Sequence, residues 1–175
     1  MTTKAAKTAR RPGYDLLGVY LNDHLAGATA GMGLARRMSK SAEPGSKSAA
    51  TLRALAGEIA EDRSALLAIM TALRIRIRGY KVFGAWAGEK AGLLKLNGHL
   101  LTRSPLSDLE EAEVLRLGVE GKAAGWRTLR VLADRERRLD AARLDELLAR
   151  AARQSAALET LRISAADRAL NNWGD

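Results

Sequence analysis

Residues 49–73 read AATLRALAGEIAEDRSALLAIMTAL, and the spacing of their apolar side chains decides the fold. Apolar residues recur at alternating intervals of three and four, which is typical of a helix with one buried seam. The seam consists of Leu52, Leu55, Ile59, Leu66, Ile69 and Leu73. Asp62 interrupts it, one heptad after Leu55. We therefore predict a long helix over about residues 49–78, whose buried face contains one carboxylate.

Similar periodicity predicts three further helices, over about residues 14–40, 107–133 and 135–170. Ser107 is the expected N-cap of the third, because acidic residues follow it at once. The glycine-rich stretch between the second and third helices is long enough to travel the length of a bundle. The expected fold is therefore all-α, a four-helix bundle with a long crossover between helices 2 and 3 that makes those two helices parallel.

The chain has 175 residues, which fits one domain, here residues 14–170 between a tail at 1–13 and a short tail at 171–175. The absence of cysteine excludes disulfides, thiolate zinc sites and a cysteine nucleophile. No apolar run approaches the roughly 20 residues of a membrane span, and the N-terminus lacks the apolar stretch of a signal peptide. We expect a cytoplasmic protein.

The formal net charge is +9, and the excess is concentrated in two segments. Residues 1–13 carry Lys4, Lys7, Arg10 and Arg11 with no acidic residue, and residues 74–103 carry seven basic residues against one glutamate. Such segments are suited to contact nucleic acid or anionic lipid. The alternative is a flexible solvated tail and a solvated loop, because no nucleic-acid recognition motif accompanies the charge.

Polar residues that interrupt the apolar stripes are the candidate functional residues. They are His24 in helix 1, Glu58 and Asp62 in helix 2, Glu120 on the stripe Leu117, Glu120, Ala124 and Val131 of helix 3, and Gln154 in helix 4. A buried carboxylate is unfavourable unless it is paired, protonated or bound to a metal. Three interpretations stay open: a hydrogen-bonded network of Asp62, His24 and an arginine, a metal site, or side chains that face water.

Helix 1 also contains several glycines. Gly27 and Gly31, four residues apart, suggest a close approach to a neighbouring helix, and the competing interpretation is a break near residues 31–33. Trp126 is expected in the core, although an interface would also suit an amphipathic ring.

The order of helices, the long connection and the inward acids resemble the ferritin-like superfamily. The phrases YLNDHLAGATAGMGLARRM, LAGEIAEDRSALLAIMTAL and LRLGVEGKAAGWRTLR also look like an uncharacterised bacterial branch of it. The resemblance implies a place for two irons, held by one Glu from each of two helices and by Glu-x-x-His from the other two. Glu120 corresponds to one of the two single Glu ligands. In helix 2, however, the candidate Glu-x-x-His motif that begins at Glu58 has Glu61 at the position that requires His. We therefore expect no intact di-iron centre.

The sequence thus predicts a non-enzymatic structural, stress-related or interaction protein without a cofactor. One alternative is a metal or redox protein that binds iron or manganese at an unusual site, such as one metal on His24, Glu58 and Asp62. A second alternative is a bundle that associates with DNA through its basic N-terminal tail. A homodimer is possible in any of these cases.

Overall fold

The computed structural model describes residues 12–78 and 105–171. They form four α-helices: α1 (Pro12–Ser41), α2 (Lys47–Ala72), α3 (Pro105–Ala133) and α4 (Ala141–Leu170). No strand occurs in either of these two stretches, so the all-α prediction is confirmed for the part of the chain that the structure describes. None of the described helices combines the length and the hydropathy that a bilayer crossing requires.

Local side-chain hydrogen bonds start two of the helices. Ser46 caps α2 by accepting a hydrogen bond from the backbone N–H of Ala49, and Asp140 caps α4 by accepting one from Arg143, both at 3.1 Å. The predicted cap at Ser107 is wrong. The helix begins at Pro105, because proline lacks the N–H that a first helical turn leaves unpaired and its φ angle already suits a helix.

The predicted end of helix 2 near residue 78 is also wrong. The helix ends at Ala72, where the N–H groups of Arg74 and Ile75 bond back to the carbonyls of Thr71 and Met70. These two bonds make a Schellman motif, which requires a left-handed residue, and Arg74 adopts it with φ 56°. The chain therefore turns back on itself after α2 and leaves the helix in an extended conformation.

The extended residues 75–78 lie against the first turns of α1. Asn22, which is buried, donates from Nδ2 to the carbonyl of Arg76 at 3.1 Å and accepts from the N–H of Arg78 at 2.7 Å. An added Cβ on Gly18 would stand 3.8 Å from Ile75. The side-chain amide of Asn22 thus makes the hydrogen bonds that a neighbouring strand would otherwise make with this segment.

The four helices pack as two antiparallel hairpins, α1 with α2 and α3 with α4. Across the hairpins, Tyr20 Oη lies 3.0 Å from Thr128 Oγ1, and Arg37 Nε lies 3.2 Å from Glu111 Oε1. These pairs make α1 antiparallel to α3, so α2 and α3 point in the same direction. The crossover predicted between them falls on residues 79–104, which lie outside the described residues, as do residues 1–11 of the basic tail and residues 172–175.

The apolar core consists of two clusters, one toward each end of the bundle. The first contains Leu34, Ala35, Met38, Leu52, Leu55, Ala56, Ile59, Ala112, Leu115, Val119, Ala123, Ala151 and Leu158. The second contains Leu21, Leu25, Leu66, Met70, Leu73, Trp126, Leu129, Leu139, Leu144 and Leu147. The burial predicted for Trp126 is confirmed. Between the clusters, at about the middle of α2, α3 and α4, the buried side chains are polar.

The predicted seam of α2 is confirmed, with Ile69 only partly buried, and Gln154 of α4 is buried as predicted, but the predicted stripe of α3 is wrong. Leu117 and Val131 are 71% and 65% exposed, and the buried stripe instead runs through Leu115, Val119 and Trp126. The helix carries two apolar stripes of comparable spacing, and periodicity alone does not say which one faces the core.

The glycines of α1 mark neither a close approach to a neighbouring helix nor a break in the helix, the two interpretations made from the sequence. The helix is continuous, so it has no break near residues 31–33. An added Cβ at Gly27 would meet nothing within 4 Å, and one at Gly31 would make an ordinary contact of 3.9 Å with Leu115. The close approach lies on α3 instead, where an added Cβ at Gly125 would stand 3.0 Å from Cε1 of His24.

Candidate functional site

Asp62 is the centre of the polar part of the core. It lies between Ile59 and Leu66 on the buried seam of α2, and 1% of its side chain is exposed. An ionised carboxylate at such a position destabilises the fold unless positive charge and hydrogen bonds compensate for the lost water. Both of its oxygens have such partners, and these come from α3 and α4.

Lys122 supplies the first positive charge. Its side chain comes from the buried side of α3, is 13% exposed, and places Nζ 2.5 Å from Asp62 Oδ2. Nζ also donates a hydrogen bond to Oε1 of Gln154. Burial lowers the pKa of Lys122 below its ordinary value of 10.5, and the carboxylate of Asp62 opposes that shift.

Two residues one turn apart on α4 complete the arrangement. Arg150 donates to Asp62 Oδ1 at 3.2 Å and to Glu61 Oε2 at 2.8 Å. Gln154 is fully buried and donates from Nε2 to Glu58 Oε2 at 2.9 Å and to Asp62 Oδ2 at 3.1 Å. The four residues Asp62, Lys122, Arg150 and Gln154, with Glu58 and Glu61 at the edge, are called the polar layer below.

The structure brings together three of the five candidate residues, Glu58, Asp62 and Gln154. His24 is half-buried on α1, where its ring packs edge-to-face on Tyr20 with centroids 4.4 Å apart and its other side lies against Gly125. Burial lowers the pKa of His24, and the charge of Asp23 opposes the shift. Glu120 is exposed, contrary to the prediction that it faces the core, and accepts a hydrogen bond from Ser155 Oγ at 2.7 Å.

Sequence reasoning missed Lys122 and Arg150, although it allowed for an arginine beside Asp62. One signal was available: Lys122 lies three residues after Val119 and four before Trp126, which is the spacing of the buried stripe. It is also the single lysine in residues 105–171. Arg150 stands four residues before the inward Gln154, so both fall on the same face of α4.

The polar layer contains positive charge next to its buried carboxylate. Throughout the part of the chain that the structure describes, no group of three or more His, Asp or Glu side chains is placed to bind a metal. The ammonium of Lys122 occupies the position between Asp62 and Gln154 that a cation would need. An ion there would have to displace an ammonium that already neutralises the carboxylate.

Trp126 borders the polar layer on α3, one turn after Lys122. Its ring belongs to the second apolar cluster and is buried, and its Nε1 has no hydrogen-bond partner among the described residues. The ring therefore contributes apolar contact in this part of the bundle.

The chain matches no protein-family model, no curated protein and no solved structure.

Proposed function

We propose that the chain is a non-enzymatic bundle of ferritin-like kind, a structural or interaction protein that has lost the di-iron ligands. The observation that carries the proposal is the contact of Lys122 Nζ with Asp62 Oδ2 at 2.5 Å. In the ferritin-like arrangement the middle of the bundle holds metal ions among carboxylates. Here a lysine and an arginine supply the positive charge at the middle of the bundle.

Three further features support the proposal. The helices α2 and α3 point in the same direction, as a crossover topology requires. Gln154, an amide, stands where a ligand-bearing helix would offer an acid or an imidazole, and its oxygen accepts from Lys122. Neither His24 nor Glu120 bonds with Asp62; they contact Tyr20 and Ser155 respectively.

Anaerobic titration with Fe(II) and with Mn(II), followed by desalting and metal analysis, tests the proposal. We expect no stoichiometric metal on the wild-type chain. In Lys122→Ala the ammonium is gone, so weak binding to Asp62 and Glu58 is expected there, and Lys122→Ala/Asp62→Ala should abolish it.

Stoichiometric metal on the wild type would refute the proposal and favour the metal-protein alternative. Losing that metal in His24→Ala, Asp62→Ala or Glu120→Ala would then identify the ligands. Exposed Glu61, two-thirds of whose side chain faces water, provides a matched control as Glu61→Ala.

A second candidate function is association with nucleic acid, and the charge of the N-terminal tail favours it. Lys4, Lys7, Arg10 and Arg11 occur with no acidic residue among residues 1–13. A gel-shift comparison of the full chain with a chain lacking residues 1–13 tests it. Binding that depends on the tail and falls steeply with salt is expected, because released counterions drive such binding. Equal and negligible binding by both chains at physiological salt would exclude this function.

A further inference from the structure

His24 lies where the two helical hairpins meet. A Cβ added to Gly125 of α3 would stand 3.0, 3.1 and 3.3 Å from Cε1, Nδ1 and Nε2 of the His24 ring. Because these three distances are almost equal, the face of the imidazole, and not its edge, lies over the glycine. A side chain at position 125 would crowd the ring, so glycine is what allows α1 and α3 to approach here.

Tyr20 and Thr128 complete this contact, which we call the hairpin joint together with His24 and Gly125. The Tyr20 ring packs edge-to-face on His24 with centroids 4.4 Å apart, and its hydroxyl lies 3.0 Å from Thr128 Oγ1. Within residues 12–78 and 105–171, no group forms a hydrogen bond with either ring nitrogen of His24. An imidazolium carries two N–H donors, and the joint offers an acceptor to neither.

The charged groups around the joint give little support to a proton on His24. Asp23, the residue before it, favours the charged ring but is itself exposed to water. Glu120 of α3 is bonded to Ser155 on α4 instead, and the acidic groups of α2 belong to the polar layer. The cationic groups in the adjoining parts of the structure, which oppose a further positive charge, are Arg63 of α2, Lys122, Arg127 and Arg130 of α3, and Arg76 and Arg78 of the extended segment.

We propose that His24 makes the hairpin joint sensitive to acid, so that a proton on its ring weakens the packing of the first half of α1 on α3. The protonated ring has to hydrate a second N–H and a charge, but its face over Gly125 is closed to water. The ring therefore moves off the glycine, and the contact of Tyr20 with Thr128 loosens with it. The contacts of α1 with α2 and of α3 with α4 do not use this ring, so they persist.

The titration of His24 agrees with this direction. Burial lowers its pKa below the ordinary value of 6.5, and the charge of Asp23 opposes that shift only in part. Below pH 6.5 a detached ring therefore binds more protons than the packed ring does. Acid then favours the detached state, and the contribution of the joint to stability is lost as the pH falls.

The distance between two spin labels, one on α1 and one on α3, tests the proposal in the full chain. The chain contains no cysteine, so Val19→Cys/Val131→Cys, at two exposed positions, takes the labels without background. We expect the distance, measured by pulsed electron paramagnetic resonance, to lengthen and broaden between about pH 7.5 and about pH 5. Leu117→Cys/Ile163→Cys, at exposed positions of α3 and α4, is the matched control and should keep one distance at both pH values.

His24→Phe in the labelled chain separates this ring from every other acid-sensitive group. Phenylalanine keeps a planar ring over Gly125 and takes no proton, so the distance should then be the same at both pH values. His24→Gln serves the same purpose if the larger ring does not fit. His99→Gln removes the other histidine of the chain and should leave the response to acid intact.

Nuclear magnetic resonance of the imidazole protons gives a check that leaves the joint unaltered. The signal that remains in His99→Gln belongs to His24, and its midpoint should lie below pH 6.5. A midpoint at or above this value, or a Val19–Val131 distance that acid leaves unchanged, would overturn the proposal. So would a response that both His24→Phe and His24→Gln retain, or one that His99→Gln abolishes.

Discussion

Lys122→Met should destabilise the bundle strongly, because it removes the ammonium from the buried carboxylate of Asp62 and keeps the length of the side chain. The variant loses two hydrogen bonds, to Asp62 and to Gln154. Bonds to charged groups contribute about 1.5–3 kcal/mol each, and breaking a buried ion pair costs about 3–5 kcal/mol. Arg150 still holds the other oxygen of Asp62. We therefore expect a loss near the lower limit, about 3 kcal/mol.

Urea unfolding at neutral pH, followed by far-ultraviolet circular dichroism, measures this loss. At about 2–4 °C per kcal/mol for a chain of this size, the melting temperature should fall by about 10 °C. Lys47→Met is the control, because Lys47 is exposed on the first turn of α2 and should change stability by less than about 0.5 kcal/mol. A loss below about 1 kcal/mol in Lys122→Met would refute the reasoning.

Asp62→Leu gives the complementary measurement. It leaves the buried ammonium of Lys122 without its carboxylate, so it should also destabilise the protein by several kcal/mol. The double variant Asp62→Leu/Lys122→Met should lose less than the sum of the two single losses, because neither charge is left alone. A raised melting temperature in Asp62→Leu would show that the fold does not require the network.

The lowered pKa of Lys122 also predicts how this contribution changes with pH. Between the folded pKa and 10.5 the unfolded chain binds more protons at this residue than the folded chain does. Stability therefore rises with pH in that interval, relative to Lys122→Met, which lacks the group. A wild-type stability that falls relative to the variant as the pH approaches 10.5 would contradict the assigned direction.

Three further predictions concern the helix contacts. Gly125→Ala should lower the free energy of unfolding by about 1 kcal/mol, because the added Cβ would crowd the ring of His24. In a His24→Ala background the same change should instead raise the free energy of unfolding by about 1 kcal/mol, because alanine favours a helix more than glycine does. Urea unfolding measures both. Arg74→Gly should raise the unfolding free energy by about 0.5–1 kcal/mol, since glycine adopts the left-handed conformation without strain; an unchanged urea midpoint would count against it. Asn22→Ala should speed hydrogen exchange at the N–H of Arg78 by about tenfold or more, and unchanged exchange would show that Asn22 does not hold this segment.

The buried face of a helix could be predicted from the sequence where its apolar residues form a single stripe. In α2 and α4 one seam dominates, so Asp62 and Gln154 were correctly placed on the buried face. In α3 a second apolar stripe competes. The choice of face then depends on what the other helices offer, and Glu120 was assigned to the wrong side for this reason.

Asp62 and Gln154 of the polar layer could be predicted from the sequence, but Lys122 and Arg150 could not. A lysine on an apolar stripe is usually taken as solvated, because its long stem lets the ammonium reach water. Lys122 is buried because Asp62 and Gln154 meet it from two other helices, and the sequence does not state that contact. Residues 74–78 alternate charged and apolar side chains as a strand does, but they were assigned to the end of α2 because a lone strand would have no partner in an all-α chain. The turn at Arg74 also uses a residue type that rarely adopts positive φ.

The position of the polar layer between two apolar clusters has a consequence for how the helices align along their axes. Leucine and alanine side chains pack almost equally well when one helix slides past another by a turn, so an entirely aliphatic interior tolerates several registers. Lys122 Nζ reaches both Asp62 and Gln154 in one register alone, and a slide of one turn would bury all three unpaired. The charges at the middle of the bundle therefore select a single longitudinal alignment of α2, α3 and α4.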